Sequence, residues 1–176
     1  MIVATTNTIL STLTLIIGVS IILFLAYYFI LKIEKDKKKI KKIKKFFEEK
    51  GAIIIFLVAL TATLGSLFYS EIAKYGVCTL CWYQRIFMYP IVIISGLMLK
   101  TKSKELIETT KIMAIIGAII ATYHYAIQII PTNVICDANS ISCATKPFLT
   151  FGYISIPMMA LTAFIAIIIT TIMMKK

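Results

Sequence analysis

Five apolar stretches, each long enough to cross a bilayer, alternate along this chain with short polar or charged connections. They cover residues 9–31, 51–70, 80–99, 112–130 and 151–174, and a spanning helix needs about 20 such residues. Inside hydrocarbon every backbone N–H and C=O must be satisfied within its own segment, so each stretch is expected to be a helix. At 60% hydrophobic and only 15% charged residues, a water-soluble domain of 176 residues could not cover its apolar surface. The expected class is an all-α membrane protein. Short links between the last four stretches predict a four-helix transmembrane bundle, with the first stretch as an additional N-terminal transmembrane helix.

A formal net charge of +11 raises nucleic acid as a partner, but the placement of the cations points elsewhere. Of 19 Lys and Arg, ten fall in residues 32–50, four in 100–111 and two at 175–176. Only Lys74, Arg85 and Lys146 stand on or near the other side if each stretch spans once. That bias is the positive-inside pattern. It predicts a multi-pass plasma-membrane protein with its N-terminus outside, its C-terminus in the cytoplasm and all four cysteines extracytoplasmic, where disulfides persist. The first stretch has no basic leader, exceeds a signal-peptide core in length and is followed directly by lysines, so it is expected to be retained. The domain reading is an extra helix at 1–31, a Lys-rich cytoplasmic loop at 32–50 and the bundle at 51–174. Within the loop, Ile33, Ile40, Ile43 and Phe47 share one helical face, which suits a segment lying on anionic headgroups. No nucleic-acid motif accompanies the charges.

The chain's four cysteines form two pairs, each just beyond an apolar stretch. Cys78-Thr79-Leu80-Cys81 opens the third stretch. Free N–H groups and the dipole at a helix start favour a thiolate, the reactive form of cysteine. Arg85, four residues past Cys81, shares its helix face and offers a permanent positive charge to a thiolate or an electron acceptor; the plainer role is snorkelling to headgroups. Cys136 and Cys143 lie in a polar loop between Pro131 and Pro147. Such a pair serves either as a staple or as an exposed disulfide open to another protein's thiol. An all-thiolate zinc site is disfavoured in oxidising surroundings, and no metal is expected. His124 is the only histidine; with Gln128 one turn on, it lies toward the cysteine end of the fourth stretch. An ionisable group in a span faces the bundle interior or a polar ligand, so His124 is either bonded to a neighbouring helix or donates to an acceptor molecule. Trp82, Tyr69, Tyr75 and Tyr83 are expected as interface anchors, and the methionines as packing. No Gly-rich nucleotide loop suggests flavin or nicotinamide.

Several motifs together resemble the disulfide bond formation protein B (DsbB) family, most closely its short-loop, BdbC-like branch. They are Leu64-Gly65-Ser66-Leu67-Phe68-Tyr69-Ser70-Glu71-Ile72, then Cys78-Thr79-Leu80-Cys81-Trp82-Tyr83-Gln84-Arg85-Ile86-Phe87-Met88-Tyr89-Pro90. Met113-Ala114-Ile115-Ile116-Gly117-Ala118, His124-x-x-x-Gln128, the loop cysteines and Gly152-x-x-x-Ile156-Pro157 extend the likeness over residues 51–174. The resemblance implies a membrane oxidoreductase that reoxidises a soluble thioredoxin-like (DsbA-like) dithiol protein and passes the electrons to a membrane quinone, menaquinone or ubiquinone. It implies four catalytic cysteines: Cys136 forming the mixed disulfide, Cys143 exchanging with Cys78, and Cys81 facing the quinone beside Arg85. His124 and Gln128 would assist at the quinone ring. Residues 1–50 lie outside the likeness, and the loop cysteines are closer together than in long-loop members. Two alternatives stand beside it: a quinone reductase of the vitamin K epoxide reductase type, whose CxxC belongs to the last span of its bundle, and a non-catalytic scaffold stapled by disulfides.

Overall fold

The computed structural model describes residues 2–101, 103–130 and 142–174. Among these, five helices follow one another: α1 (Ile2–Ile33), α2 (Lys37–Leu67), α3 (Thr79–Met98), α4 (Lys104–Ile129) and α5 (Ile156–Met174). A single π-helical turn, Phe68–Ile72, extends α2. All five are long and apolar enough to span a membrane, and the chain is an all-α, multi-pass membrane protein. In the bundle α2 packs on α3, α3 on α4, α4 on α5 and α5 back on α2, while α1 leans on α2 and α5 from outside.

Lipid gives helices little hydrophobic reason to associate, so close packing and internal hydrogen bonds hold a bundle together. The core is a file of small and branched side chains with one aromatic ring: Ala52, Ile55, Ala59, Ile91, Ala114, Ala121, Phe164 and Ile167. Gly117 of α4 meets the Phe164 ring so closely that a Cβ there would run into it. The α4–α5 contact therefore depends on glycine at that position. Several polar side chains within the spans are satisfied locally: Ser95, Thr162 and Thr170 each donate to the carbonyl one turn back.

Three boundaries differ from the sequence expectation. Most of the lysine segment is helical, in keeping with the shared face of Ile40, Ile43 and Phe47: helix resumes at Lys37 and runs unbroken into the second span. Only residues 34–36 interrupt it, where Lys35 has a positive φ of 55° and Asp36 caps α2 by accepting from the Lys39 backbone N–H at 3.1 Å. Lysine is a good helix former, so polarity alone does not end a helix. The third connection shortens likewise, since α4 begins at Lys104 after an extended Ser103. The last helix starts late, at Ile156, because residues 150–154 make a tight turn. Thr150 and Ile154 exchange backbone hydrogen bonds of 3.0 and 2.9 Å around Phe151 (φ 53°) and Gly152 (φ 79°). Those backbone angles are incompatible with a right-handed helix.

α1 is far less buried than the bundle helices, yet it keeps a packed face. Its less exposed residues, among them Asn7, Leu10, Thr14, Ile17, Ile21 and Phe24, recur at alternating spacings of three and four, the period of a helix packed along one seam. Its opposite face, with Ile9, Ile16, Ile22 and Phe29, is exposed and apolar, as lipid requires.

Candidate active site

Cys78 is the N-cap of α3, with extended backbone (φ −79°, ψ 166°). The helix bends the chain back so that Cys81, one turn on, brings its Sγ within 3.1 Å of the Cys78 Sγ. Cys78 is buried and donates its S–H to Cys81. That hydrogen bond, with burial second, pushes the Cys78 thiol up to about 12. In this reduced pair Cys78 thus keeps its proton through neutral pH, and Cys81 is the sulfur that receives a hydrogen bond.

His124 reaches this pair from α4. It is buried, and its Nδ1 lies 2.9 Å from Gln84 Nε2 of α3. With Gln84 donating, Nδ1 accepts and Nε2 carries the ring proton. Nε2 in turn lies 3.2 Å from the Cys143 carbonyl oxygen and 3.6 Å from Cys78 Sγ. One turn along α4, Gln128 Nε2 donates to the Thr145 carbonyl at 3.1 Å. The two side chains pin the chain at Cys143 and Thr145 onto the bundle beside the CxxC pair, and Cys143 is itself buried. Cys136 and Pro131 lie outside the described residues.

The donor atoms of Cys78, Cys81 and His124 lie within 4.8 Å of one another, a Cys₂His set of the kind zinc accepts. Here the imidazole is already engaged at both nitrogens, by Gln84 on one and the Cys143 carbonyl on the other.

On its other side Cys81 borders a cavity of about 280 Å³ between α2, α3, α5 and α1. The wall is mostly apolar, with Val58, Met88, Met159, Ala163 and Phe164. Arg85 supplies the one charge among its described lining residues. The guanidinium is held from α2: Nε donates to Ser66 Oγ at 2.9 Å and a terminal nitrogen to the Ser66 carbonyl at 3.0 Å. Tyr89 Oη donates to the same hydroxyl at 3.4 Å, and the Trp82 ring centre lies 5.1 Å from the guanidinium carbon. An arginine bonded twice to Ser66 of α2 and set over an aromatic ring is oriented rather than loosely snorkelling. Gln84 and Tyr69 also border the cavity, whereas His124 and Gln128 do not stand among its lining residues.

The structure therefore gathers Cys78, Cys81, Cys143, Arg85, His124 and Gln128 at one end of the bundle, on two sides of Cys81. Sequence reasoning gave no role to Gln84, Ser66 or Tyr89. Gln84 carries a signal, since a glutamine inside an apolar span needs a partner. Tyr69 is no surface anchor: it is buried among Tyr75 and Phe148, at ring-centre distances of 5.8 and 5.4 Å. Trp82 and Tyr83 are exposed as expected.

A helix-capping CxxC with its first cysteine buried, beside a second cysteine-bearing segment in a bundle that spans lipid, defines a membrane thiol oxidoreductase. Comparison with known proteins gives the particular family. The profile described as Disulfide bond formation protein DsbB matches residues 48–174. Disulfide bond formation protein C of Bacillus subtilis (strain 168) is 43% identical over 122 residues, covering 68% of this chain and 88% of that protein. Probable disulfide formation protein C of Halalkalibacterium halodurans is 39% identical over 123 residues, 69% of this chain and 90% of that one. The SPbeta prophage-derived disulfide bond formation protein B of Bacillus subtilis (strain 168) is 40% identical over 123 residues, 69% and 80% of the two chains. No solved structure matches. The chain belongs to the DsbB family and is a membrane disulfide oxidoreductase of disulfide-bond formation. The epoxide-reductase-like and scaffold alternatives receive no support from these relatives.

Proposed function

We propose that this protein is a protein-dithiol:quinone oxidoreductase. The observation that carries the reading is the double position of Cys81, whose sulfur is 3.1 Å from Cys78 and on the wall of the Arg85 cavity. Electrons enter from a reduced thioredoxin-like dithiol protein at the cysteine end, which the cation bias assigns to the extracytoplasmic face. One partner thiolate attacks the Cys136–Cys143 disulfide at Cys136, and the second partner thiol displaces it, leaving the partner oxidised and both loop cysteines as thiols. These reduce the Cys78–Cys81 disulfide in the same manner, with Cys143 attacking Cys78. His124 Nε2–H faces both the Cys143 carbonyl and Cys78, so it fixes the attacking segment and offers a hydrogen bond to the Cys78 sulfur.

The cavity suits a lipid-borne quinone. Its wall is apolar, it lies within the spanning part of the bundle, and its cation is aimed by Ser66 at the edge where an acceptor oxygen would gain negative charge. A bound quinone supplies a two-electron, two-proton sink. Arg85 binds and orients it, Phe164 and Met159 exclude water, and Cys81 is the sulfur within reach. The order of attack at Cys136 and Cys143, and the reading of residues 51–174 as a unit that functions with α1 attached, belong to the same proposal.

The test uses the purified full chain with a reduced thioredoxin-like protein and a decyl-tailed quinone, following quinol by absorbance. Wild type should turn over, and Cys81→Ser should lose quinol formation while still forming a mixed disulfide with the partner. Quinol formation that survives Cys81→Ser would remove the reading.

A further inference from the structure

The DsbB profile begins at residue 48, yet α1 is part of the cavity. Leu10, Leu13, Thr14 and Ile17 all line it. α1 is fastened at both ends of that stretch. Toward the cysteine end Asn7 Nδ2 lies 3.4 Å from Tyr75 Oη, and Leu10 sits over Gly65 of α2, 3.2 Å from where a Cβ would stand. Toward the lysine end Phe24 packs on Phe47, with ring centres 5.4 Å apart. Between these fastenings the α1–α2 seam opens. Leu13 on α1 and Leu57 on α2 line the cavity and are nevertheless 41% and 54% exposed. Thr61, one turn beyond Leu57, does the same. A side chain that borders an interior cavity and is also half exposed marks the rim of an opening. This rim lies on the spanning faces of two helices, so it opens sideways to lipid.

Volume gives the opening a use. About 280 Å³ is below the range of roughly 300–1,000 Å³ that encloses a drug-sized ligand. The space accepts an aromatic ring and no long chain. A ring at Arg85 carrying an apolar tail must send that tail out, and the Leu13–Leu57–Thr61 rim is the lipid-facing route. We propose that α1 forms, with α2, a lateral mouth through which a long-tailed, lipid-soluble acceptor enters and in which its tail rests. Specificity for the tail then resides in the helix outside the four-helix core, and specificity for the ring resides at Arg85. This rests on the quinone reading above and adds α1 to it.

The test is an equilibrium titration as well as a rate. Trp82, the only tryptophan, stands beside Arg85 and reports ring binding by fluorescence quenching. Two probes are used, a decyl-tailed benzoquinone and the same ring bearing only a methyl group. In Leu13→Phe/Leu57→Phe the Kd of the tailed probe should weaken about tenfold, and that of the tail-less probe by less than about twofold. KM for the tailed quinone should follow, with kcat at saturating quinone and the single-turnover oxidation of the partner unchanged. Ile16→Phe and Ile22→Phe, on the outward face of α1, should change neither Kd. Equal weakening of both probes, or of neither, would overturn the mouth while leaving the oxidoreductase reading intact. Absence of quenching and of turnover in wild type would overturn both.

Discussion

On the α4 side of Cys81 the groups are polar and mutually engaged: Gln84 with His124, His124 with the Cys143 carbonyl, Gln128 with the Thr145 carbonyl. On the α2 and α5 side the wall is mostly apolar, and its one charged group among the described lining residues is held by Ser66. Directed hydrogen bonds fix where a chain segment lies and which imidazole nitrogen carries the proton, which thiol exchange between two parts of a protein demands. An apolar wall fixes little and excludes water, which suits a molecule arriving from lipid. Residues on one side should therefore alter exchange between sulfurs, and residues on the other should alter use of the acceptor, with Cys81 belonging to both.

Removing Cys81 should give the largest effect. Cys81→Ala should lower quinol formation by at least about a thousandfold, as loss of a covalent participant does. It should also change its neighbour. The Cys78 thiol is pushed up to about 12 chiefly by the hydrogen bond it gives to Cys81, so in reduced wild type its alkylation should stay slow from roughly pH 7 to 10. Without Cys81 the thiolate becomes available at lower pH, and the alkylation profile should shift toward neutral. An unshifted profile would mean that burial, not the sulfur contact, governs Cys78.

Arg85→Met comes next. It removes the cation from the cavity but leaves the cysteine pair in place. Hydrogen bonds to charged groups contribute about 1.5–3 kcal/mol, so KM for the acceptor should rise roughly ten- to a hundredfold. The rate of exchange between the loop cysteines and the CxxC pair, read by quenched alkylation in single turnover, should not move. A slowed exchange would merge the two sides.

His124→Phe sharpens the comparison most, because the family resemblance assigns His124 to the quinone ring and the geometry sets it toward the sulfurs. The substitution keeps a flat ring and strips both hydrogen bonds, leaving the Gln84 amide and the Cys143 carbonyl short of a partner at about 1–3 kcal/mol each. Exchange should slow about tenfold, with the acceptor Kd from Trp82 quenching unchanged. The reverse pattern would put the imidazole on the acceptor side.

The spans were legible because crossing lipid demands long apolar runs, and Cys78, Cys81 and Arg85 because their spacings of three and four put them on one helix face. Contacts between helices carry no such local signature. Arg85 finds Ser66 nineteen residues away, and Gln84 finds His124 forty away. The seam of α1 was hidden for another reason: packed and lipid-facing sides are both apolar, so polarity does not separate them, and only the three-four spacing marks the packed side. The lysine segment carries two signals at once. Its charges signal which side of the membrane it occupies, and its backbone simply continues as helix.

The smallest effect should come from Gln128. Its Nε2 donates to Thr145, but its buried Oε1 has no hydrogen-bond partner among the described residues. Gln128→Leu thus removes one hydrogen bond and one unsatisfied oxygen together, and the two changes oppose each other. The net should be under about 1 kcal/mol, or roughly threefold in the rate at which Cys143 reaches the CxxC pair. Acceptor affinity should stay the same, since Gln128 does not line the cavity. A Gln128→Leu variant that alkylates faster at Cys143, with Trp82 quenching untouched, would show that α4 anchors the second cysteine segment through this side chain. If quenching weakens about tenfold instead, the polar side of Cys81 reaches the acceptor after all, and the division between exchange and acceptor residues must be redrawn around α4.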